Sequence, residues 1–140
     1  MVDKTAIAKQ FIDAIPHSRA LGMKLTDISD GSATIEMPYS EALIGDPRTK
    51  VIAGGAVSAL MDTCCGAAVM AHPANPGGTA TIDLRIDYMR PAAPGQTLRT
   101  TATCYHVTRS VAFVRATTCD EDEDNPVAAA TGSFTVEGVK

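Results

Sequence analysis

The sequence predicts an α+β fold in which a curled antiparallel sheet is wrapped around one long central helix. The run AVSALMDTCCGAAVMA, which begins at Ala56, is apolar nearly all the way round, and this is typical of a buried helix rather than a surface one. Most of the remaining chain consists of segments rich in Thr, Val and Ile between turn residues, a pattern that predicts strands. Strands on both sides of one apolar helix imply a sheet that curls around it. A chain of 140 residues fits a single domain, 1–140.

The segment before the central helix predicts a short helix, a hairpin and a loop. Apolar residues at helical spacing predict an amphipathic helix over residues 3–15 that ends at Pro16, so that 1–16 pack on the main body. Residues 24–29 and 32–38 are predicted to be two strands of a hairpin around Asp30-Gly31, a tight-turn signal, and the second strand alternates with the period of a half-buried strand. Residues 40–50 have no clear period and read as a loop.

Four successive antiparallel strands are expected after the central helix, separated by turns. The acidic run 120–124 between the last two is expected to be a solvated hairpin tip. The predicted strands cover residues 79–89, 96–107, 110–119 and 127–136.

Composition excludes several classes of function. A formal charge of −4, no tryptophan and 4% aromatic residues argue against a nucleic-acid partner. The N-terminal segment has charges throughout, so it is not expected to be a signal peptide, and no uncharged apolar stretch is long enough to predict a membrane span. The four cysteines form no C-x-x-C pair, and free thiols in the cytoplasm are the expected state.

Asp62 is the informative residue of the central helix. A charge among such apolar neighbours costs several kcal/mol unless it is paired or has a function, and no Lys or Arg lies within this helix. One interpretation is a structural carboxylate on an exposed strip or at a backbone amide. The other is a base or nucleophile at a cleft, with Ser58 and Gly66 one turn away on the same face as expected substrate contacts.

Gly54 and Gly55 precede this helix and are candidates for an oxyanion site. The first amides of a helix have no intrahelical partner, and glycine lets a ligand approach them. A flexible turn is the alternative interpretation. Gly54 and Asp62 are about 12 Å apart along a straight helix, so the two can serve one reacting atom only if they come from different subunits or Gly54 lies outside the helix. The spacing favours a site at a dimer interface.

The stretch VIAGGAVSALMDTCCG, residues 51–66, resembles the central helix of hotdog-fold thioesterases of the phenylacetate-degradation and 4-hydroxybenzoyl-CoA type. TIDLRIDYMRPA, residues 81–92, is similar to the strand that follows this helix in the family, and Gly95 and RSVAFV, residues 109–114, are similar to its later turn and strand. The resemblance covers roughly residues 23–136.

The resemblance implies a hotdog fold, a homodimer or dimer of dimers, and hydrolysis of an acyl- or aryl-CoA thioester at a site between two subunits. Asp62 falls on the catalytic carboxylate of the family, which acts as base or nucleophile. Gly54 falls on the glycine whose amide binds the thioester oxygen, and Thr81 on a residue that helps to place the water. Coenzyme A is then part of the substrate, and no cofactor is expected. Positions implied to contact coenzyme A are Arg90, Arg109, Ser110 and Val111.

Two departures from the family pattern concern polar helpers. Ala53 stands where relatives usually have histidine, and Pro47, beside Asp46, stands where an Asn or Gln is frequent. Loss of one such helper commonly costs about 10²-fold or more in rate. A non-catalytic acyl-CoA or lipid-binding protein is therefore the alternative, and a hotdog dehydratase is a weaker one because the central helix has no histidine.

The other titratable residues are weaker candidates. His17, His72 and His106 do not stand at metal-ligand spacing, so no metal is expected. Cys64 and Cys65 are expected to pack in the core rather than to act as nucleophiles, because the helix supplies no base for them except Asp62.

Overall fold

One long helix and a six-stranded antiparallel sheet form the body of the protein in a computed structural model, which describes residues 4–75 and 77–137. The predicted start of the first helix at residue 3 lies outside the described residues. In chain order the elements are α1 (Lys4–Ala14), α2 (Pro16–Ala20), β1 (Lys24–Ser29), β2 (Ser32–Met37), a 3₁₀ turn (Glu41–Leu43), β3 (Ile44–Asp46), β4 (Val51–Ile52), α3 (Gly54–Ala71), β5 (Thr81–Tyr88), β6 (Leu98–Val107), β7 (Val111–Cys119) and β8 (Ala128–Thr135).

The sheet wraps around α3. This helix contacts every one of the six strands, whose order in the sheet is β1-β2-β6-β7-β8-β5. Ten of its residues are buried, and they pack on the inward-facing side chains of β2, β6, β7 and β8. Although α3 has the length and apolar composition of a membrane-crossing helix, it is the core helix of this fold. The prediction of an antiparallel sheet curled around one central helix is confirmed.

The predicted hairpin is present as β1 and β2, with Ser29 opposite Ser32. Gly31 takes a φ of 72° in the turn, and a Cβ there would lie 2.9 Å from the His72 ring. Glycine is therefore required both for the backbone conformation and for the close approach to the end of α3.

Four short elements were not predicted: α2, the 3₁₀ turn, β3 and β4. Pro16 does not simply end a helix but occupies the first turn of α2, where its missing N–H leaves no helical hydrogen bond unmade. The segment 40–50 is not a plain loop, because it contains a 3₁₀ turn and β3, which pairs with β4 in a separate two-stranded sheet. Strands of three and two residues are too short to show a period in the sequence.

The pairing of the last four strands differs from simple succession. β5 does not pair with β6 but lies beyond β8 at the edge of the sheet, whereas β6, β7 and β8 follow one another as predicted. At the opposite edge β1 is covered by α1. Most side chains of β5 are exposed.

A bulge in β5 changes which side chains face α3. The register against β8 shifts between Thr81 and Asp83. In a regular strand, residues seven apart point to opposite faces, so Thr81 and Tyr88 would diverge. The extra residue of the bulge reverses the alternation, and both side chains reach α3.

The prediction that residues 120–124 are a solvated tip is wrong for Asp120. Its carboxylate is 1% exposed and accepts two hydrogen bonds of 2.7 Å from the Arg90 guanidinium, as well as one from the Ala93 amide. Residues 121–125 are exposed, as predicted. The buried ion pair joins this turn to the segment that follows β5.

Candidate active site

The Asp62 carboxylate is held by the first residue of β5. The Thr81 hydroxyl donates a hydrogen bond of 2.7 Å to Asp62 Oδ1. Asp62 is half-buried on α3, and its hydrogen bond to Thr81 places the carboxylate between α3 and β5. The bulge brings Thr81 into this gap. The structure therefore joins two of the predicted catalytic residues directly.

The second carboxylate oxygen of Asp62 is accessible, and the residue lines a cavity. Among the described residues, Asp62 Oδ2 accepts no hydrogen bond from the protein. Every buried side-chain nitrogen or oxygen of these residues does have a hydrogen-bond partner, so Oδ2 is not buried. Asp62, Gly66 and Thr81 line a cavity of about 310 Å³. We refer to it as the carboxylate cavity. Of the described residues that line it, His17 is the one other titratable group.

Gly54 begins α3 and exposes the amide end of the helix. The carbonyl of Ala53 accepts hydrogen bonds from the Ala56 and Val57 amides, whereas no hydrogen bond of the described residues uses the amides of Gly54 or Gly55. No acidic residue lies in the first turn, so the positive end of the helix dipole is not neutralised locally. These amides can therefore donate to an oxyanion.

Tyr88, which was not predicted as a site residue, fixes this helix end to β5. Its hydroxyl donates to the Gly54 carbonyl at 3.0 Å, and its ring lies 3.7 Å from where a Cβ of Gly54 would be. Tyr88 belongs to the sequence motif 81–92, but it stands seven residues from Thr81. In a regular strand that spacing would place the two side chains on opposite faces, so the sequence does not indicate that both face α3. Only the bulge explains their common orientation.

Gly54 and Asp62 open into different cavities of the same protomer. Gly54 lines a cavity of about 360 Å³ together with Tyr88 and Arg90, and Asp62 does not contribute to it. The carboxylate cavity contains Asp62 and not Gly54. Because α3 is one continuous helix, the separation of about 12 Å expected from the sequence applies.

The segment around Asp46 and Pro47 is a local turn. Asp46 accepts a hydrogen bond from the Arg48 amide at 2.9 Å, and this donor lowers the pKa of the carboxyl group. Pro47 is exposed. A Cβ on Gly45 would lie 2.7 Å from the Cα of Ala53, so β3 passes directly against the residue that replaces the expected histidine.

The Arg90 guanidinium donates all of its observed hydrogen bonds to other groups of the protein. Besides its two bonds to Asp120, it donates to the Asn125 carbonyl at 2.9 and 2.6 Å and to the Pro91 carbonyl. Its side chain still lines the cavity beside Gly54.

The remaining predicted substrate contacts lie elsewhere. Ser58 donates to the Gly55 carbonyl at 3.0 Å, and Arg109, Ser110 and Val111 lie at the turn between β6 and β7. None of these residues lines either of the two cavities.

The thiols of α3 are core groups. Cys64 donates to the carbonyls of Ala33 and Thr100 at 3.3 Å, and burial raises its pKa to about 12. Burial raises the pKa of Cys65 as well. A thiol in this state is not a nucleophile at neutral pH. Within the described part of the chain, no three His, Cys, Asp or Glu residues form a group that could hold a metal ion.

The sequence and the fold have clear counterparts among known proteins. Residues 49–127 match the model of the thioesterase superfamily. A protein of Halobacterium salinarum whose name describes an esterase is 33% identical, covering 96% of this chain and 93% of its own length. The medium/long-chain acyl-CoA thioesterase YigI of Escherichia coli is 25% identical, covering 93% of this chain and 91% of its own.

A crystal structure of a Pseudomonas aeruginosa protein superposes with a TM-score of 0.86 at 36% identity, covering 96% of this chain and 100% of that one. The hotdog fold that the sequence resemblance implied is confirmed. Since the family model covers more than half of the chain, the protein belongs to the thioesterase superfamily.

Proposed function

We propose that the protein hydrolyses an acyl-CoA thioester to the free acid and coenzyme A, with Asp62 as the catalytic carboxylate. The observation that carries the proposal is the state of Asp62: Thr81 holds one carboxylate oxygen, the other is accessible, and the residue lines a cavity. A carboxylate in this arrangement has a fixed direction and a free lone pair, which both a general base and a nucleophile require.

The reaction follows from these groups in either role. As a base, Asp62 takes a proton from water while the water oxygen bonds to the thioester carbon; the C–S bond then breaks, and the proton passes to the departing thiolate. As a nucleophile, Asp62 displaces the thiolate to form an anhydride, which water hydrolyses. In both routes the Gly54 amide donates a hydrogen bond that stabilises the negative charge developing on the carbonyl oxygen.

The proposed substrate carries a medium or long acyl chain. The name of the Escherichia coli relative YigI states this substrate class, and that protein aligns over almost the whole of both chains. The missing histidine at Ala53 does not remove the two groups used above, which are a main-chain amide and the Asp62 carboxylate.

An activity screen tests the proposal. Thiol release is measured with acetyl-, butyryl-, decanoyl-, palmitoyl- and benzoyl-CoA for the wild type, Asp62→Asn and the matched control Asp27→Asn, which changes an exposed carboxylate of β1. Asp62→Asn should lower kcat on the order of 10²- to 10⁴-fold, because the base or nucleophile is lost. Saturable binding without turnover of any thioester would instead favour the non-catalytic binding protein.

We further propose that the site is completed by a second copy of the chain. Gly54 and Asp62 open into separate cavities, and both β5 contacts of the site, Thr81 and Tyr88, lie on an exposed edge strand. Pairing of two β5 edges would continue the sheet and bring the Gly54 end of one α3 toward Asp62 of the other.

Subunit mixing tests the shared site. Inactive Asp62→Asn and Gly54→Pro proteins are combined, dissociated and allowed to reassociate. In a mixed dimer one of the two sites has both native residues, so about a quarter of wild-type activity should return in a symmetric dimer. Each variant incubated alone is the control, and no recovery after demonstrated exchange would place both residues in one protomer's site.

A further inference from the structure

A second cavity lies beneath α1 and adjoins the carboxylate cavity. It has a volume of about 190 Å³, and the eight described residues that line it are all apolar. Phe11 and Ile12 of α1 and Ala67 and Met70 of α3 line both cavities. The two spaces therefore meet between α1 and α3, and together they lead from Asp62 into an apolar compartment. We refer to the second space as the α1 cavity.

The packing of α1 leaves apolar surface without a protein partner. Ile12 is 2% exposed and anchors the helix, but Ile7 and Phe11 are 53% and 47% exposed although both line the α1 cavity. These two residues stand four apart and so lie on one face of the helix. An apolar ligand in the cavity would cover surface that the fold itself leaves in water.

We propose that the α1 cavity receives the aliphatic tail of the acyl group, with α1 as its outer wall. This inference rests on the proposed thioester hydrolysis. With the thioester carbon beside Asp62, the tail passes between Phe11 and Met70 into the α1 cavity, whose described lining offers no charged or hydrogen-bonding side chain. Such a lining selects an unbranched hydrocarbon by length, and each methylene that enters should raise kcat/KM about fourfold.

A fluorescence reporter tests occupancy without requiring catalysis. Since the chain has no tryptophan, Phe11→Trp introduces a single indole at the junction of the two cavities. Ala14→Trp places the same group on an exposed position at the end of α1, outside the cavity lining. Decanoate should produce a saturable blue shift in Phe11→Trp and none in Ala14→Trp, whereas acetate should shift neither. An unchanged Phe11→Trp spectrum, or equal shifts in the two variants, would overturn the proposal.

Chain-length profiles test the same cavity in the working enzyme. Ala8→Phe fills the α1 cavity, Ile28→Ala enlarges it from β1, and Ala14→Phe repeats the first substitution outside it. The ratio of kcat/KM for decanoyl-CoA to that for butyryl-CoA should fall by more than about tenfold in Ala8→Phe. It should stay at the wild-type value in Ala14→Phe, and in Ile28→Ala the preferred chain should lengthen.

The outcomes separate this inference from the proposed function. Wild-type turnover that depends on Asp62, with the wild-type length profile retained in both Ala8→Phe and Ile28→Ala, would reject the α1 cavity as the tail site and leave hydrolysis intact. Absence of turnover on every thioester would reject hydrolysis, and the tryptophan reporters would still decide whether an aliphatic chain binds beneath α1.

Discussion

The role proposed for Gly54 depends on its main-chain amide, which a single substitution can remove. It is the first residue of α3, where proline is well tolerated because its ring already has the helical φ. Ala53 before it has φ −61° and ψ 140°, the extended conformation that a residue preceding proline prefers. Proline at position 54 therefore removes one amide N–H without breaking the helix.

We expect Gly54→Pro to lower kcat by about 10²- to 10³-fold if this amide binds the oxyanion. Gly54→Ala keeps the amide and adds only a Cβ at an ordinary contact distance from Tyr88, so its loss should be much smaller. Steady-state kinetics and thermal unfolding of both variants provide the measurement. Equal activities with equal Tm would show that the Gly54 amide does not act in the reaction.

At the scale of elements, the ion pair of Arg90 and Asp120 fastens the turn after β7 to the segment after β5. Asp120 is 1% exposed and Arg90 29% exposed on their side chains, so the pair is largely shielded from water. Removing one partner of a buried pair leaves the other charge uncompensated, which usually costs about 3–5 kcal/mol. The pair thus holds the wall of the cavity beside Gly54.

Asp120→Asn should lower the free energy of unfolding by about 3–5 kcal/mol, measured by denaturant unfolding at neutral pH. The matched control is Glu121→Ala, which removes a neighbouring exposed carboxylate and should change stability by less than about 0.5 kcal/mol. A loss no larger than that of the control would show that Asp120 does not hold the turn.

The same pair predicts a pH dependence. The Arg90 guanidinium and the Ala93 and Asp122 amides hold the pKa of Asp120 well below its usual range. A depressed folded-state pKa stabilises the native state fully above the unfolded pKa of about 4, and the contribution is lost as the pH falls toward the folded value. The stability difference between wild type and Asp120→Asn should therefore be constant near neutrality and shrink below about pH 4.

The sequence predicts the elements better than their long-range partners. The alternation of β2 and the apolar run of α3 are local properties, and both predictions are confirmed. The position of β5 beside β8, and the burial of Asp120 by an arginine 30 residues away, depend on contacts that no local pattern encodes. Within the candidate site, the family resemblance identified Thr81. It did not identify Tyr88, because the sequence does not reveal the one-residue bulge that turns both side chains toward α3.

At the scale of the whole molecule, the open edge of β5 has a charge pattern suited to pairing with itself. Asp83, Arg85 and Asp87 alternate along the strand and are exposed, with Arg85 paired to Asp87 at 3.3 Å in the protomer. Two antiparallel β5 strands that are offset to place Arg85 opposite the partner's Asp83 or the partner's Asp87 would bring opposite charges together. The exposed Ile82 and Met89 would be covered in the same contact.

Arg85→Glu gives this edge three acidic side chains and should shift the proposed dimer to monomer in analytical ultracentrifugation. Lys24→Glu makes the same change of charge on β1, at the edge that α1 covers, and should leave the dimer intact. A dimer that withstands Arg85→Glu as well as it withstands Lys24→Glu would mean that β5 is not the contact.

The double use of β5 has a practical consequence. The strand that supplies Thr81 and Tyr88 to α3 is also the strand through which two copies are proposed to join. Specific activity then depends on dilution: below the dissociation constant of the dimer, each molecule retains its fold but has half of a site. Rates measured at low enzyme concentration would then underestimate the specific activity of the dimer. A lag after dilution, or a specific activity that rises with enzyme concentration, would reflect assembly of the dimer rather than the chemical step.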